Sequence, residues 1–346
     1  VELKKDNDNI MIFGFLLAHK KKKNGSQDMS VKDKYKALTD TEPSICIYAL
    51  PWWLDAVCGE QNWDVRIIES DKKVVASWAF YRENKMGFNL IHMPTFTPFG
   101  GVWLNYPTDQ NYTNRLSYEI SMTTDLLEQM PAFDYLRQGF SYQFRNWLGF
   151  YWNGFKQTSR YSYVLEDLSD INEVFNRFHK SKRSNIRKAE KAVKVHHGLT
   201  ANEFYEFHKK SLTGSGKQIS YSFSQFERLH NAAIVNNAGK VFYAIDEQGN
   251  IHSALFVVWD KQSAYSIISA VNPTYNESYS LSLLFYEAIK YTSAFVNKFD
   301  FEGSMIKGVE TAYRNFGAKQ KEYFIISKTP SKLLKLIMFF KDEFLR

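Results

Sequence analysis

The sequence predicts an α/β protein, α+β in arrangement, made of two like units in tandem. Each unit is a mixed, largely antiparallel sheet flanked by helices. Three observations lead there. The chain has 346 residues, more than one domain usually holds. Apolar residues make up 44% and charged residues 23%, a balance that can bury a core. One order of elements, strand–turn–strand–strand–helix–strand, also occurs twice.

Residues 1–28 are set aside. The apolar run 10–18 precedes Lys20, Lys21, Lys22 and Lys23, the reverse of a secretion signal's order, and is far shorter than the roughly 18 apolar residues of a membrane span. Met29 followed by Ser30, Val31 and Lys32 looks like a natural start, so 1–28 is read as disordered or non-native. It holds six Lys and four acids, +2 of the net +7, leaving +5 for the rest. That modest excess suits anionic partners. The only cysteines, Cys46 and Cys58, are too few for a disulfide framework; a reducing cytosol is the simplest reading, with one Cys46–Cys58 bridge as the alternative. No His or Cys spacing marks a metal site.

In the first unit, residues 29–159, strands are expected at 64–70, 74–83 and 87–93 from their β-branched and aromatic runs. Pro94 then breaks the pattern, and a loop carries Phe99, Gly100 and Gly101. A helix over 113–129 and a strand from Phe133 follow. In the second unit, residues 160–330, 160–166 reads as a strand, and Asp170 or Ser169 can cap a helix running to about His179. A basic helix over 181–192 comes next, then helices over 201–212 and 224–236. Strands follow at 240–246, 251–260 and 263–271, with Asn272-Pro273 as a breaker. A helix over 278–294 shows Leu281, Leu284, Phe285, Ala288 and Ile289 at helical spacing. A strand at Phe299-Asp300, a short helix over 308–315 and a strand over 320–327 complete the unit. Without Pro-, Gly- or Ser-rich linkers the units should pack directly. Residues 331–346 read as an amphipathic helix, docked on the first unit or lying on a membrane surface.

Several side chains could carry chemistry. Asp300 and Glu302 alternate on one strand and so share a face, with Phe301 opposite. They could orient an ammonium or act as base, or be a structural strand-end pair. On the next helix, Tyr313 could donate a proton and Arg314 clamp a carboxylate, or both could be packing and surface charge. The basic helix sets Arg183 and Arg187 four residues apart beside Lys188. Like charges so placed destabilise an isolated helix, which favours a bound phosphate over a solvated face. The loop Phe99-Gly100-Gly101 permits close approach of a ligand, or is an ordinary turn.

Four stretches carry a family resemblance: Tyr48-Ala49-Leu50-Pro51-Trp52-Trp53-Leu54-Asp55-Ala56-Val57; Thr97-Pro98-Phe99-Gly100-Gly101-Val102; Arg183-Ser184-Asn185-Ile186-Arg187-Lys188-Ala189-Glu190-Lys191; and Phe299-Asp300-Phe301-Glu302-Gly303-Ser304-Met305 leading to Tyr313-Arg314-Asn315-Phe316-Gly317-Ala318. Over about 44–327 the chain resembles the FemABX-like acyltransferases, and the element order is that of a GNAT fold. The resemblance implies two GNAT-like domains and an N-acyl or aminoacyl transferase that forms an amide on an amino acceptor such as a cell-wall precursor. It implies aminoacyl-tRNA as donor, no resident cofactor, and a cytoplasmic site of action at or near the membrane's inner face. The anionic partner would be tRNA or a nucleotide- or lipid-diphosphate-linked precursor. The chain lacks the extended helical hairpin of the long-armed members between Gly198 and Lys240. Residues 276–282, including Ser278 and Ser280, fall where GNAT enzymes bind the coenzyme A diphosphate, but without glycine. An acyl-CoA-dependent GNAT N-acyltransferase, and a non-catalytic phosphate-ligand or nucleic-acid binding module on the same scaffold, are the rival readings.

Overall fold

The computed structural model describes residues 29–303 and 305–344, so the expectation for 1–28 lies outside the described residues. Its strands are β1 (Trp63–Ser70), β2 (Lys73–Lys85), β3 (Phe88–His92), β4 (Gly101–Leu104), β5 (Tyr135–Gly139), β6 (Lys156–Leu165), β7 (Lys194–His197), β8 (Gly239–Ile245), β9 (Ile251–Trp259), β10 (Ser263–Val271), β11 (Lys298–Asp300) and β12 (Lys319–Lys328). The helices are α1 (Val31–Thr41), α2 (Pro51–Cys58), α3 (Tyr112–Glu128), α4 (Leu148–Trp152), α5 (Ile171–Arg177), α6 (Lys180–Ala192), α7 (Ala201–Gly214), α8 (Phe223–Val235), α9 (Ser280–Thr292), α10 (Lys307–Arg314) and α11 (Lys332–Phe344). Side-chain caps fix several starts. Asp170 accepts from two amides of α5, and Thr200 with Glu203, and Ser222 with Gln225, form capping boxes on α7 and α8.

The strands form one continuous 12-stranded sheet in the order β1-β2-β3-β5-β12-β6-β11-β10-β9-β8-β7, with β4 added to β2. The two halves pair in the same way. β1, β2 and β3 form an antiparallel meander whose last member runs parallel to β5, as β8, β9 and β10 do with β11. At the centre each half receives a strand from across the molecule: β12 lies on β5, β6 lies on β11, and β6 and β12 pair with each other antiparallel.

Helices cover both faces. On the second half, Val174 of α5, Ile186 of α6 and Leu284 of α9 share one core with Phe299, Phe301 and Phe316. On the opposite face, Phe204 of α7 and Phe226 of α8 join Tyr48, Trp53 of α2 and Phe99 from the first half. The halves thus share a core as well as a sheet. On the first half, Leu126 of α3 and Phe150 of α4 pack with Trp78 and Phe140.

Some boundaries differ from expectation. The helix expected over 278–294 is α9 alone, preceded by a 3₁₀ turn over Pro273–Ser278, because Asn272 caps that turn and Tyr279 sits at φ 55° between the two. The loop with Phe99, Gly100 and Gly101 is not a free turn: Phe99 is buried, and Gly101 opens β4 at φ +84°. A Cβ on Gly101 would lie 2.1 Å from the Phe140 ring. We therefore expect Gly101→Ala to destabilise the fold by about 3 kcal/mol or more, through overpacking and left-handed strain together. Urea denaturation would show it; an unchanged midpoint would mean the loop yields.

Candidate active site between the two halves

The site forms where the exchanged strands meet. β10 and β11 pair over only three registers, Ser263–Lys298, Ala264–Phe299 and Tyr265–Asp300; β10 then continues to Val271 while β11 ends. Asp300 therefore stands at the point where two parallel strands part. It is fully buried, and its Oδ1 accepts from the Ser162 hydroxyl on β6 and from the Glu302 amide, the latter at 2.8 Å. Its Oδ2 is buried without a hydrogen-bond partner among the described residues.

Glu302 is not a strand position, as expected from its alternation with Asp300, because β11 stops at Asp300. Glu302 instead adopts a left-handed φ of 59°, unusual for a side chain of its size. The following residue explains why: a Cβ on Gly303 would lie 1.9 Å from the Tyr161 carbonyl oxygen, so the chain crosses β6 too closely for any other residue. This turn brings Glu302 Oε1 to the Tyr48 hydroxyl, which donates to it. Tyr48 belongs to the short 3₁₀ turn Ile47–Ala49 ahead of α2, where Pro51 sets the first helical residue. Trp53, Phe99 and Tyr265 contact its ring edge-on at centroid distances of 5.1, 5.0 and 5.1 Å and fix it in place.

Burial governs the proton affinities. It raises Glu302 well above the usual carboxylate range; the Tyr48 hydrogen bond opposes the shift and the Asp300 charge adds to it. The residue as a whole is half-buried, and its carboxyl end is enclosed beside Tyr48. Burial lifts Asp300 to about 7, against the hydrogen bonds from Ser162 and Glu302 and with a further push from Asp260. Tyr48 is raised far above its normal range, first by burial and then by Glu302, so it stays a neutral donor. Tyr323 is pushed up to about 12 by burial and the same carboxyls. Burial thus favours the protonated form of Glu302, and Asp300 is poised to ionise near neutral pH.

The other expected site residues fall in separate places. Tyr313 stacks on Phe301 at 5.2 Å and lines a cavity of about 200 Å³ with Lys182, Ser282 and Phe316. Burial raises the Tyr313 phenol, and the charges of Glu302 and Asp300 add to the shift. Arg314 is exposed and pairs with Glu310 one turn back, rather than presenting a clamp to the carboxyls. Phe99, Gly100 and Gly101 line a cavity of about 290 Å³ with Tyr142, Asp260 and Tyr265. Arg183 and Arg187 do not share a target. Arg183 donates to the Asn176 carbonyl and, at 2.8 Å, to that of Phe178, so it holds the end of α5, while Arg187 lies over the Phe175 ring. The cations that gather at the start of α9 are instead Lys182, which donates to Ser282 Oγ at 3.2 Å, and Lys188, which lies over the Tyr279 ring. Burial lowers Lys182 to about 8. Ser278 and Ser280 bond each other there at 3.1 Å.

Tyr48 and Ser162 are the residues that sequence reasoning passed over. Tyr48 lay inside a stretch quoted for family resemblance, but its bond to Glu302 joins positions 254 residues apart. Cys46 and Cys58 are both free, which removes the alternative of a bridge.

A mixed sheet flanked by helices, with a meander leading into a parallel pair that parts, resembles the GNAT-type fold of the FemABX-like acyltransferases. Among solved structures, the crystal structure of FemX matches at 13% identity with a TM-score of 0.64, over 86% of this chain and 96% of that one. A conserved protein of unknown function from Bacteroides thetaiotaomicron VPI-5482 matches at 12% identity with a TM-score of 0.51, over 87% and 99%. The C-terminal domain of a protein designated a lysylphosphatidylglycerol synthetase, from Agrobacterium fabrum, matches at 9% identity with a TM-score of 0.52, over 89% and 95%. No protein-family model matches the chain, and no curated protein matches it.

Proposed function

We propose that the chain is an N-acyl or aminoacyl transferase that forms an amide bond on an amino acceptor, with aminoacyl-tRNA as donor and a cell-wall precursor as one fitting acceptor. The observation that carries this reading is the carboxyl pair Asp300–Glu302 at the parting of β10 and β11, with Tyr48 on Glu302. Aminolysis of an ester forms one N–C bond, breaks one C–O bond, and moves one proton from the amine to the leaving hydroxyl. Glu302 is suited to that transfer. Protonated at rest, it donates to the departing oxygen; its carboxylate then takes the proton from the new ammonium. Asp300 tunes this affinity from behind, and the Tyr48 hydroxyl steadies whichever charge Glu302 carries.

The same reading takes residues 29–159 and 160–330 as two GNAT-like units. Their support is the shared pairing order, which would be related by a pseudo-twofold axis passing between β6 and β12. β6 straddles the boundary and carries the first unit's end onto the second.

Coenzyme A fits less well as donor. The start of α9 has no glycine, and the neighbouring cavity of about 200 Å³ falls below the roughly 300 Å³ at which small-molecule pockets begin. Supplying labelled aminoacyl-tRNA or acyl-CoA with amine acceptors tests the choice. Label should pass from the tRNA, and Tyr48→Phe should slow it by about tenfold or more by removing one donor to the proton carrier. Transfer from acyl-CoA alone would replace the donor in this reading. Turnover from neither would leave the phosphate-ligand module.

A further inference from the structure

For the helix α11, docking on the first half and lying on a membrane surface were both expected, and most of its apolar side is uncovered. Leu333, Leu336, Ile337, Phe339 and Phe340 are each between 46% and 60% exposed, while Leu334 and Met338 are the half-buried positions. Leu333, Leu336, Ile337 and Phe340 follow the spacing of a single helical stripe. Such a stripe facing water would be costly, and five large apolar side chains on one helix exceed the scattered exposure of ordinary surfaces.

A second element extends the patch. The short helix α4 exposes Leu148, Tyr151 and Trp152 at 41%, 56% and 63%. Its end is tied to the root of α11, because Lys328, the last residue of β12, donates to the Asn153 carbonyl at 2.7 Å. Exposed Lys156 lies beside this root, in register with Ser327. Lys332 and Lys335 are exposed on α11 itself, towards its start, while its two acids, Asp342 and Glu343, stand at its far end.

Leu and Phe side chains that enter an acyl layer, Tyr and Trp at its edge, and lysines around them match the chemistry of a lipid–water interface. The lysines select anionic headgroups. The described part of α11 spans 13 residues, and no described helix is long and apolar enough to cross a membrane. We propose that α11 and the α4 corner form a docking surface for an anionic lipid bilayer, with α11 lying in the headgroup plane.

Vesicle co-sedimentation of the full chain tests this independently of the transferase reading. The protein should pellet with phosphatidylcholine–phosphatidylglycerol vesicles and much less with phosphatidylcholine alone. Leu336→Glu, Ile337→Glu and Phe339→Glu combined should weaken that binding by about tenfold or more, as should Trp152→Glu to a smaller degree. Lys332→Glu with Lys335→Glu should weaken it by more than about tenfold, since each lysine near such a surface contributes roughly fivefold. Circular dichroism and turnover of a soluble acceptor should stay at wild-type levels in these variants. The proposal is overturned if the wild type fails to pellet with the anionic vesicles, if it binds neutral vesicles equally, or if the triple variant instead abolishes self-association seen by analytical ultracentrifugation.

Discussion

Replacing Glu302 with Gln should slow amide formation by about two to four orders of magnitude, the usual worth of one positioned proton-transfer group. The melting temperature should move little, and the reason lies in the charge state. Burial favours the protonated form of Glu302, and a neutral amide of the same shape replaces that neutral acid. The amide oxygen can still accept from Tyr48, and the left-handed turn into Gly303 does not depend on the side chain's proton. What disappears, on the proposed mechanism, is the group that would give a proton to the leaving oxygen and take one from the ammonium. A rate equal to wild type, measured with the donor that supports turnover, would remove Glu302 from the chemistry. Should the Gln variant unfold instead, Tyr48→Phe keeps the question open to experiment, because that phenol reaches the same oxygen and its ring packing survives the change.

The acids were legible in the sequence, and their partner was not. Asp300 and Glu302 stand two residues apart in a segment with a strand's apolar period, so a shared site could be read from spacing alone. That spacing says nothing of Gly303, whose close passage over Tyr161 turns Glu302 out of the strand, or of Tyr48, which the fold delivers from the other end of the chain. The basic helix shows the same limit. Arg183 and Arg187 share a face by count, but the turn between α5 and α6 brings bare carbonyls to Arg183, and these claim its guanidinium. Most of the long strands and helices announced themselves by period, but the helices α1 and α2 ahead of the first strand did not. The four-residue strands β4 and β7 carry too few positions for alternation to register. The repeat of the meander was visible, but the exchange of β6 and β12 across the centre was not. Both strands pair far from their sequence neighbours, and local pattern holds no record of which half receives them.

Replacing Asp300 with Asn should make the protein more stable above neutral pH while lowering its activity. The folded carboxyl has its proton affinity raised to about 7 from an ordinary 3.8, chiefly by burial. Below 3.8 both folded and unfolded chains hold the proton, and the group has no charge to bury. As pH rises from there towards 7, the unfolded chain ionises freely and the folded chain resists. Stability is therefore lost across that window and levels off once the folded group has ionised. The full loss is up to about 4 kcal/mol, at roughly 1.4 kcal/mol for every tenfold change in proton affinity. Asn carries no such charge. Its amide can still accept from the Glu302 N–H, but its NH₂ would replace Oδ2, the oxygen without a partner among the described residues, at a cost of about 1–3 kcal/mol. The net expectation is a gain of about 1–3 kcal/mol near pH 8 that vanishes or reverses near pH 5. Urea midpoints of both proteins at the two pH values measure it directly. Turnover should fall in the same variant, because Glu302 loses the neighbouring negative charge that helps raise its proton affinity. A stabilised but slower enzyme is the mark of a charge kept buried for function. If the two stability–pH curves run parallel, Asp300 does not titrate within the fold, and its part in tuning Glu302 fails with it.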